Sequence, residues 1–313
     1  MKGLLLINLG TPETPTKKDL RCYLKEFLSD PRVMDIHPLV RWMILNLFIL
    51  PFRSKKSAAA YRKIWTGRGS PLLFYLKDLK AQVSSLLGEE YVVEIGMRYG
   101  SPSMGLGLAK LIGQGVTSID ILPLYPQYSF STTGSTVNQL QKISADHPDW
   151  PPIRILPPFY NHPGYIDALS QLIRDNTRSP DHVLFSFHGL PKKQIQKGDP
   201  YQSQCIWTAK TLARKLGLSS DLYSIVFQSR LGWNSWIQPF TDQEIVRLAQ
   251  SGKKRLTIVM PSFIADCLET LEEIGIRAKE TALAHGVESF NIVPCLNTHP
   301  LWIKAVCQMV RSS

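Results

Sequence analysis

His182-Val183-Leu184-Phe185-Ser186-Phe187 runs directly into His188-Gly189-Leu190-Pro191, and the reading of that junction decides the fold. A short run that is apolar at most positions, rather than at every second one, is a strand covered on both faces. Gly and Pro immediately after it force the chain to turn. The same signature recurs at residues 4–8, 92–97, 118–123, 153–156, 223–228, 256–261 and 290–293. Between many of these runs lie helical periodicities, at 72–87, 164–176, 201–216 and 267–285. Strands alternating with helices imply an α/β fold with parallel sheets. The strands fall into two groups of four, so two doubly wound domains are predicted, 1–157 and 158–313, with the proline-rich stretch 151–163 at the boundary. In such folds ligands bind beyond the carboxyl ends of the strands, and the loops that follow strands are the places to search.

Composition narrows the class. A chain of 313 residues with 44% hydrophobic and 19% charged residues has the makings of full cores. Thirty-six Lys and Arg against 25 Asp and Glu leave a net charge of +11, which suits an anionic partner. No run of five basic residues and no zinc-finger or RNP-like pattern is present, so nucleic acid is not expected as a partner. The five cysteines, Cys22, Cys205, Cys267, Cys295 and Cys307, are dispersed without a C-x-x-C pair and read as reduced thiols. The apolar run at residues 3–7 is too short for a secretory signal and reads as a buried first strand. The stretch 39–52, LVRWMILNLFILPF, is nearly all apolar but shorter than the roughly 20 residues that span a bilayer. It is either a buried helix or an exposed lip that meets a membrane or a greasy substrate.

Four strand-to-loop junctions carry chemistry. His188 stands at the end of its strand, where an imidazole can accept a proton or hold a divalent metal; a hydrogen bond to a nearby carbonyl is the structural alternative. After the strand at 256–261, Asp266, Glu269 and Glu273 share one helical face. Asp266 suits an N-cap. The two glutamates repel one another and call for a cation, either Arg277 or a metal ion. Arg98-Tyr99 follows the strand at 92–97 and offers a guanidinium and a phenol to a carboxylate. Tyr125-Pro126-Gln127-Tyr128-Ser129 opens a hydroxyl-rich loop without the glycine spacing of a nucleotide fingerprint.

Taken together, nine segments in order resemble the ferrochelatase family. They are Asn8-Leu9-Gly10-Thr11-Pro12, Gly69-Ser70-Pro71, Gly96-Met97-Arg98-Tyr99, the Tyr125–Ser129 loop with Ser131-Thr132-Thr133-Gly134, Phe185 to Pro191, Gly198-Asp199-Pro200-Tyr201, Gln228-Ser229-Arg230, Trp236-Ile237-Gln238-Pro239 and Asp266-Cys267-Leu268-Glu269-Thr270. The resemblance implies two Rossmann-like domains with a porphyrin in the cleft between them. It implies His188 and Glu269 as the catalytic pair, and His188, Glu269 and Glu273 as the groups that handle the metal. Leu9, Arg53, Tyr61, Ser70, Arg98, Tyr99 and Tyr125 match positions that line the porphyrin pocket or hold its propionates, and 39–52 matches the apolar lip. Two positions depart from the family's usual pattern, Phe187 where a small residue is frequent and Cys267 where histidine is frequent.

The implied function is insertion of Fe²⁺ into protoporphyrin IX to give protohaem, with iron as substrate and no cofactor. An iron–sulfur cluster, which needs four ligands, is not expected from these scattered cysteines. Leu9 stands where relatives acting on coproporphyrin carry a tyrosine, which points to the vinyl-bearing protoporphyrin. The implied setting is cytoplasmic, peripherally at the inner face of the cell membrane, with transient contact to the oxidase that precedes metal insertion. The rival readings are a cobalt or nickel tetrapyrrole chelatase of the same fold and a non-enzymatic haem carrier.

Overall fold

The computed structural model describes residues 1–145, 147–230 and 235–312. The chain forms two compact units, one of residues 1–125, 129–158 and 306–313, the other of 126–128 and 159–305. The main break lies between residues 158 and 159. Residues 306–313 nonetheless belong to the first unit, where Arg311 Nη2 donates to the Leu86 carbonyl at 3.1 Å.

Each unit is built on one four-stranded parallel sheet. In the first, β1 (Lys2–Thr11), β2 (Tyr91–Gly100), β3 (Ile119–Pro123) and β4 (Ile153–Ile155) lie in the order β2-β1-β3-β4. In the second, β5 (His182–His188), β6 (Tyr223–Gln228), β7 (Arg255–Val259) and β8 (Ser289–Ile292) repeat that order as β6-β5-β7-β8. All eight predicted strands are present. Their apolar side chains are buried as continuous runs, Leu4 to Ile7 and Val183 to Phe187 among them, as strands covered on both faces require. Against the first sheet, Leu5, Ile7, Ile119 and Ile121 join Met104, Leu108 and Leu111 of the helix Met104–Gly113. Against the second, Leu184, Val226, Leu256 and Ile258 join Ile245 and Leu248 of the helix Thr241–Gln250.

The strand order fixes where a site can form. From β5 the chain crosses to β6 on one side, and from β7 it crosses to β8 on the other. The loops leaving β5 and β7 therefore diverge, and the crevice between their carboxyl ends is the switch point of the second sheet. β1 and β3 stand in the same relation in the first.

Before its helix Pro71–Leu87, the first unit carries a helical excursion: α1 (Lys17–Ser29), α2 (Pro38–Met43), a π-helical segment (Ile44–Ile49) and α3 (Leu50–Ile64). Pro51 has no N–H to give the carbonyl one turn back, which loosens the ladder ahead of it. Leu45 and Leu50 are buried with Leu28 of α1, and Val33 and Met34 pack beside them. Ile49 packs against them too, while Leu39, Trp42, Phe48 and Phe52 point outward, 69%, 60%, 61% and 74% exposed. Of the two readings of 39–52, the exposed lip is the one observed.

His182, at the start of β5, is buried, with Nε2 2.8 Å from Ser224 Oγ, which donates to Glu244 at 2.6 Å. Burial pushes this imidazole below its ordinary value, and the Glu244 charge opposes the shift without cancelling it. An unfolded chain takes up the proton near pH 6.5, whereas the folded protein resists it, so stability falls as the pH drops below that value. Urea denaturation at pH 7.5 and 5.5 should show a smaller loss of stability on acidification for His182→Gln than for the wild type.

Candidate active site

The two loops at the switch point of the second sheet present the ionisable groups. Gly189 lets the chain turn away from β5: a Cβ there would lie 2.8 Å from the Gln228 carbonyl of β6. His188 is thereby left at the strand end, half-buried, its backbone N–H donating to Ser262 Oγ at 3.3 Å and its ring 6.3 Å from that of Phe263. Both contacts come from the loop after β7. Burial lowers the imidazole below its ordinary value, and the charge of Glu269 works in the opposite direction. The result is a neutral ring near pH 7, able to accept a proton.

Glu269 opens a helix different from the one predicted over 267–285. Residues Glu269–Ala278 are π-helical and only Lys279–Ala284 is α-helical. The wider π turn closes each hydrogen bond over five residues rather than four, so Glu269 and Glu273 still lie about one turn apart. Glu273 is held by Ser229, whose N–H donates to Oε1 at 2.8 Å and whose hydroxyl donates to Oε2 at 2.5 Å. Ser229 offers both donors from a left-handed backbone, φ +66°. Burial raises the Glu273 carboxyl above its ordinary value, with the Ser229 bonds opposing. The Gln228 amide donates to the Glu269 carbonyl at 3.3 Å and accepts from Ser186 at 2.7 Å, tying β5, β6 and the π-helix together.

Two expectations are corrected here. Asp266 is no part of the acidic face: it is buried, and its carboxylate accepts from Thr270 Oγ1 at 3.0 Å and Asn297 Nδ2 at 2.7 Å. Arg277 does not neutralise Glu269 or Glu273 by a salt bridge but pairs with Glu272 at 2.9 Å. Among the described residues no group of three or more His, Cys, Asp and Glu could cage an ion. Of the three groups implied to handle the metal, Glu273 has both carboxylate oxygens bonded to Ser229.

The first unit places the other candidates at the carboxyl ends of β1, β2 and β3, on α3 and, for Ser70, just ahead of the helix Pro71–Leu87. Leu9 is half-buried near the end of β1, beside Gly10, whose φ of +130° and close approach to the Tyr99 carbonyl exclude a side chain. Ser70 is buried and accepts from the Thr11 hydroxyl at 2.7 Å. Tyr61 is buried with its ring edge toward Trp65 at 6.2 Å, and Tyr125 is buried, its phenol pushed up by burial with Thr136 and the Arg98 charge opposing.

Arg98 and Tyr99 do hold a carboxylate, but it belongs to Asp30. Asp30 Oδ2 accepts from Arg98 Nη2 at 2.6 Å, from the Tyr99 phenol at 2.8 Å and from Ser135 Oγ at 2.5 Å. All four residues are buried or nearly so, so the propionate role expected of Arg98 and Tyr99 gives way to an internal one. Arg53 is the opposite case. Its guanidinium is half-buried on α3, burial works against its charge, and no carboxylate among the described residues pairs with it.

Paired doubly wound sheets of this kind are the architecture of the chelatases. "SirB from Bacillus subtilis with Fe3+" aligns over 99% of this chain and 94% of its own, with a TM-score of 0.61 and 14% identity. The sirohydrochlorin chelatase SirB from Bacillus subtilis subspecies spizizenii in complex with cobalt aligns with a TM-score of 0.56 and 12% identity, over 99% and 94%. At such identities the likeness is one of fold. At the level of sequence the chain belongs to the ferrochelatase family, whose model matches residues 1–313. A ferrochelatase of Coxiella burnetii (strain CbuK_Q154) is 42% identical over 99% of this chain and 93% of its own. One of Legionella pneumophila (strain Corby) is 43% identical over 99% and 98%. The family's enzymes are lyases that insert a metal ion into a porphyrin.

Because the Glu269 charge raises the His188 imidazole, Glu269→Gln should move its titration further to the acid side. NMR observation of the His188 ring proton across pH 4–8, about the ordinary histidine value, tests this. An unmoved midpoint would mean that the two groups do not interact.

Proposed function

We propose that this protein inserts Fe²⁺ into protoporphyrin IX. The observation that carries the reading is His188: a neutral imidazole at the switch point of a chelatase fold, with Glu269 as its electrostatic partner. Metallation replaces two pyrrole N–H protons by one divalent ion, so a site for it needs a base for the protons and an anionic exit for them. The lone pairs of a flat macrocycle are shielded by its own hydrogens, and contacts remote from the metal are needed to hold it puckered. His188 serves as proton acceptor. Glu269 stabilises the imidazolium that forms. Glu273, with its carboxyl raised by burial, is suited to take up the proton next and release it along the π-helix. Both glutamates are oxygen donors suited to a divalent cation on its way to the ring.

In the first unit Arg53 is the residue we assign to a propionate, since its charge lacks an internal partner. Leu9 offers only apolar contact, which favours the two vinyl groups of protoporphyrin over the additional propionates of coproporphyrin. Each carboxylate stripped of water without a partner costs on the order of 1–3 kcal/mol or more. Tyr61, Ser70, Tyr99 and Tyr125, being buried, shape the walls behind such contacts. The exposed lip fits peripheral association with the inner face of the cell membrane, where a water-insoluble porphyrin resides and where an oxidase supplying it would be met. No cofactor enters this reading. Cys205, Cys267 and Cys295 are buried thiols pushed well up by desolvation.

His188→Ala and Glu269→Gln should each lower turnover with Fe²⁺ by ~10²–10⁴ while the purified variants keep the wild-type thermal midpoint. A wild-type protein that binds haem but turns over neither Fe²⁺, Zn²⁺ nor Co²⁺ is a carrier, not an enzyme. For the porphyrin, kcat/KM measured in one detergent should favour protoporphyrin IX over coproporphyrin III. The reverse preference overturns the role given to Leu9 and leaves metal insertion standing.

A further inference from the structure

The net charge is not spread evenly along the chain. Residues 36–77 contain eight Lys and Arg and no Asp or Glu, and so hold eight of the eleven surplus positive charges. This stretch contains the apolar lip and the whole of α3. On α3 the buried positions are Leu50, Ser54, Ala58, Tyr61 and Ile64. The opposite face presents Phe52, Lys55, Lys56, Ala59, Arg62 and Lys63, all exposed. That face begins with the most exposed aromatic side chain of the lip and continues, apart from Ala59, as cations. The arrangement is an apolar wedge with a basic collar directly behind it.

We infer that this face binds an anionic phospholipid bilayer, the lip entering the acyl boundary and α3 meeting the headgroups. The inference rests on the membrane reading of the lip and adds the chemistry of the lipid. An apolar wedge alone does not discriminate between neutral and anionic headgroups. Cations in front of a charged leaflet do, because each Lys or Arg near the surface strengthens binding about fivefold. Distance grades the effect. Lys55 and Lys56 follow Phe52 by three and four residues, about 5–6 Å of helix, and Arg62 by about 15 Å. At ~0.1 M salt the field decays over about 10 Å, so Lys55 and Lys56 carry more of the selectivity than Arg62.

The test is co-sedimentation of the full chain with vesicles of phosphatidylcholine alone and of phosphatidylcholine mixed with phosphatidylglycerol. The wild type should bind the mixed vesicles more tightly, and ~1 M salt should remove the difference. Lys55→Gln with Lys56→Gln should weaken binding to the mixed vesicles about 25-fold and leave binding to neutral vesicles unchanged. Turnover of detergent-dissolved porphyrin by that variant should equal the wild type's, since neither lysine is placed in the site. Arg62→Gln should have the smaller effect. Equal wild-type binding to both vesicles, or an unchanged preference in the double variant, overturns the anionic-lipid assignment while the lip remains a membrane contact. Binding to neither vesicle removes the membrane reading itself.

Discussion

A single carboxylate oxygen organises the first unit. Asp30 Oδ2 receives a guanidinium, a phenol and a hydroxyl, while Oδ1 accepts the Arg32 N–H at 2.8 Å. Burial works to raise this carboxyl, but the bonds from Ser135, Arg32 and Tyr99 and the charge of Arg98 outweigh it, and the group stays ionised. Charge-assisted bonds of this kind are about twice as strong as neutral ones. Removing one partner of a buried pair costs roughly 3–5 kcal/mol, because the other charge is left uncompensated. Three elements meet at this point: the end of α1, the end of β2 and the start of the helix Ser135–Ala145. The lip hangs from it as well. The Asp30 carbonyl accepts from Val33 and Met34, the Met34 carbonyl accepts from Arg41 inside α2, and Val33 and Met34 pack on the lip's buried leucines.

The second unit handles ionisable groups in the opposite way. Its switch-point residues are desolvated without being neutralised: His188 is shifted down, Glu273 is shifted up, and Arg277 is engaged by Glu272. These opposite shifts bring the His188 imidazole and the Glu273 carboxyl closer to one another in proton affinity, whereas Asp30, saturated with donors, is held low. One unit uses a buried charge as a rivet and the other keeps its charges available, a division that suits binding in one and proton transfer in the other.

Much of this was legible in the sequence, and the failures have a common physical origin. Continuous apolar runs ending in Gly or Pro gave every strand, because burial of both faces leaves a signal inside five or six residues. The positions of His188 and Glu269 followed, since a residue at a strand's carboxyl end goes where the topology sends it. Partners distant along the chain left no local trace. Asp30 lies 68 residues from Arg98 and 105 from Ser135, so Arg98 and Tyr99 looked free to bind a ligand when they were already engaged. Ser229 was visible only within a quoted motif, and its bond to Glu273, 44 residues on, could not be read. The change from α to π turns was hidden because both periods set Glu269 and Glu273 about a turn apart. The lip was undecidable from hydropathy alone, because the same residues would serve equally as core.

The membership of residues 306–313 in the first unit bears on how the chain is made. Translation runs at about 5–20 residues per second, so the 147 residues from 159 to 305 occupy the ribosome for about 7–30 s after the first 158 are complete. Throughout that interval the first unit has all its strands but lacks its final segment, including the Arg311 that donates to Leu86. The second unit has no such debt to a later part of the chain. The first unit thus waits through that interval for the segment whose Arg311 meets the Leu86 carbonyl.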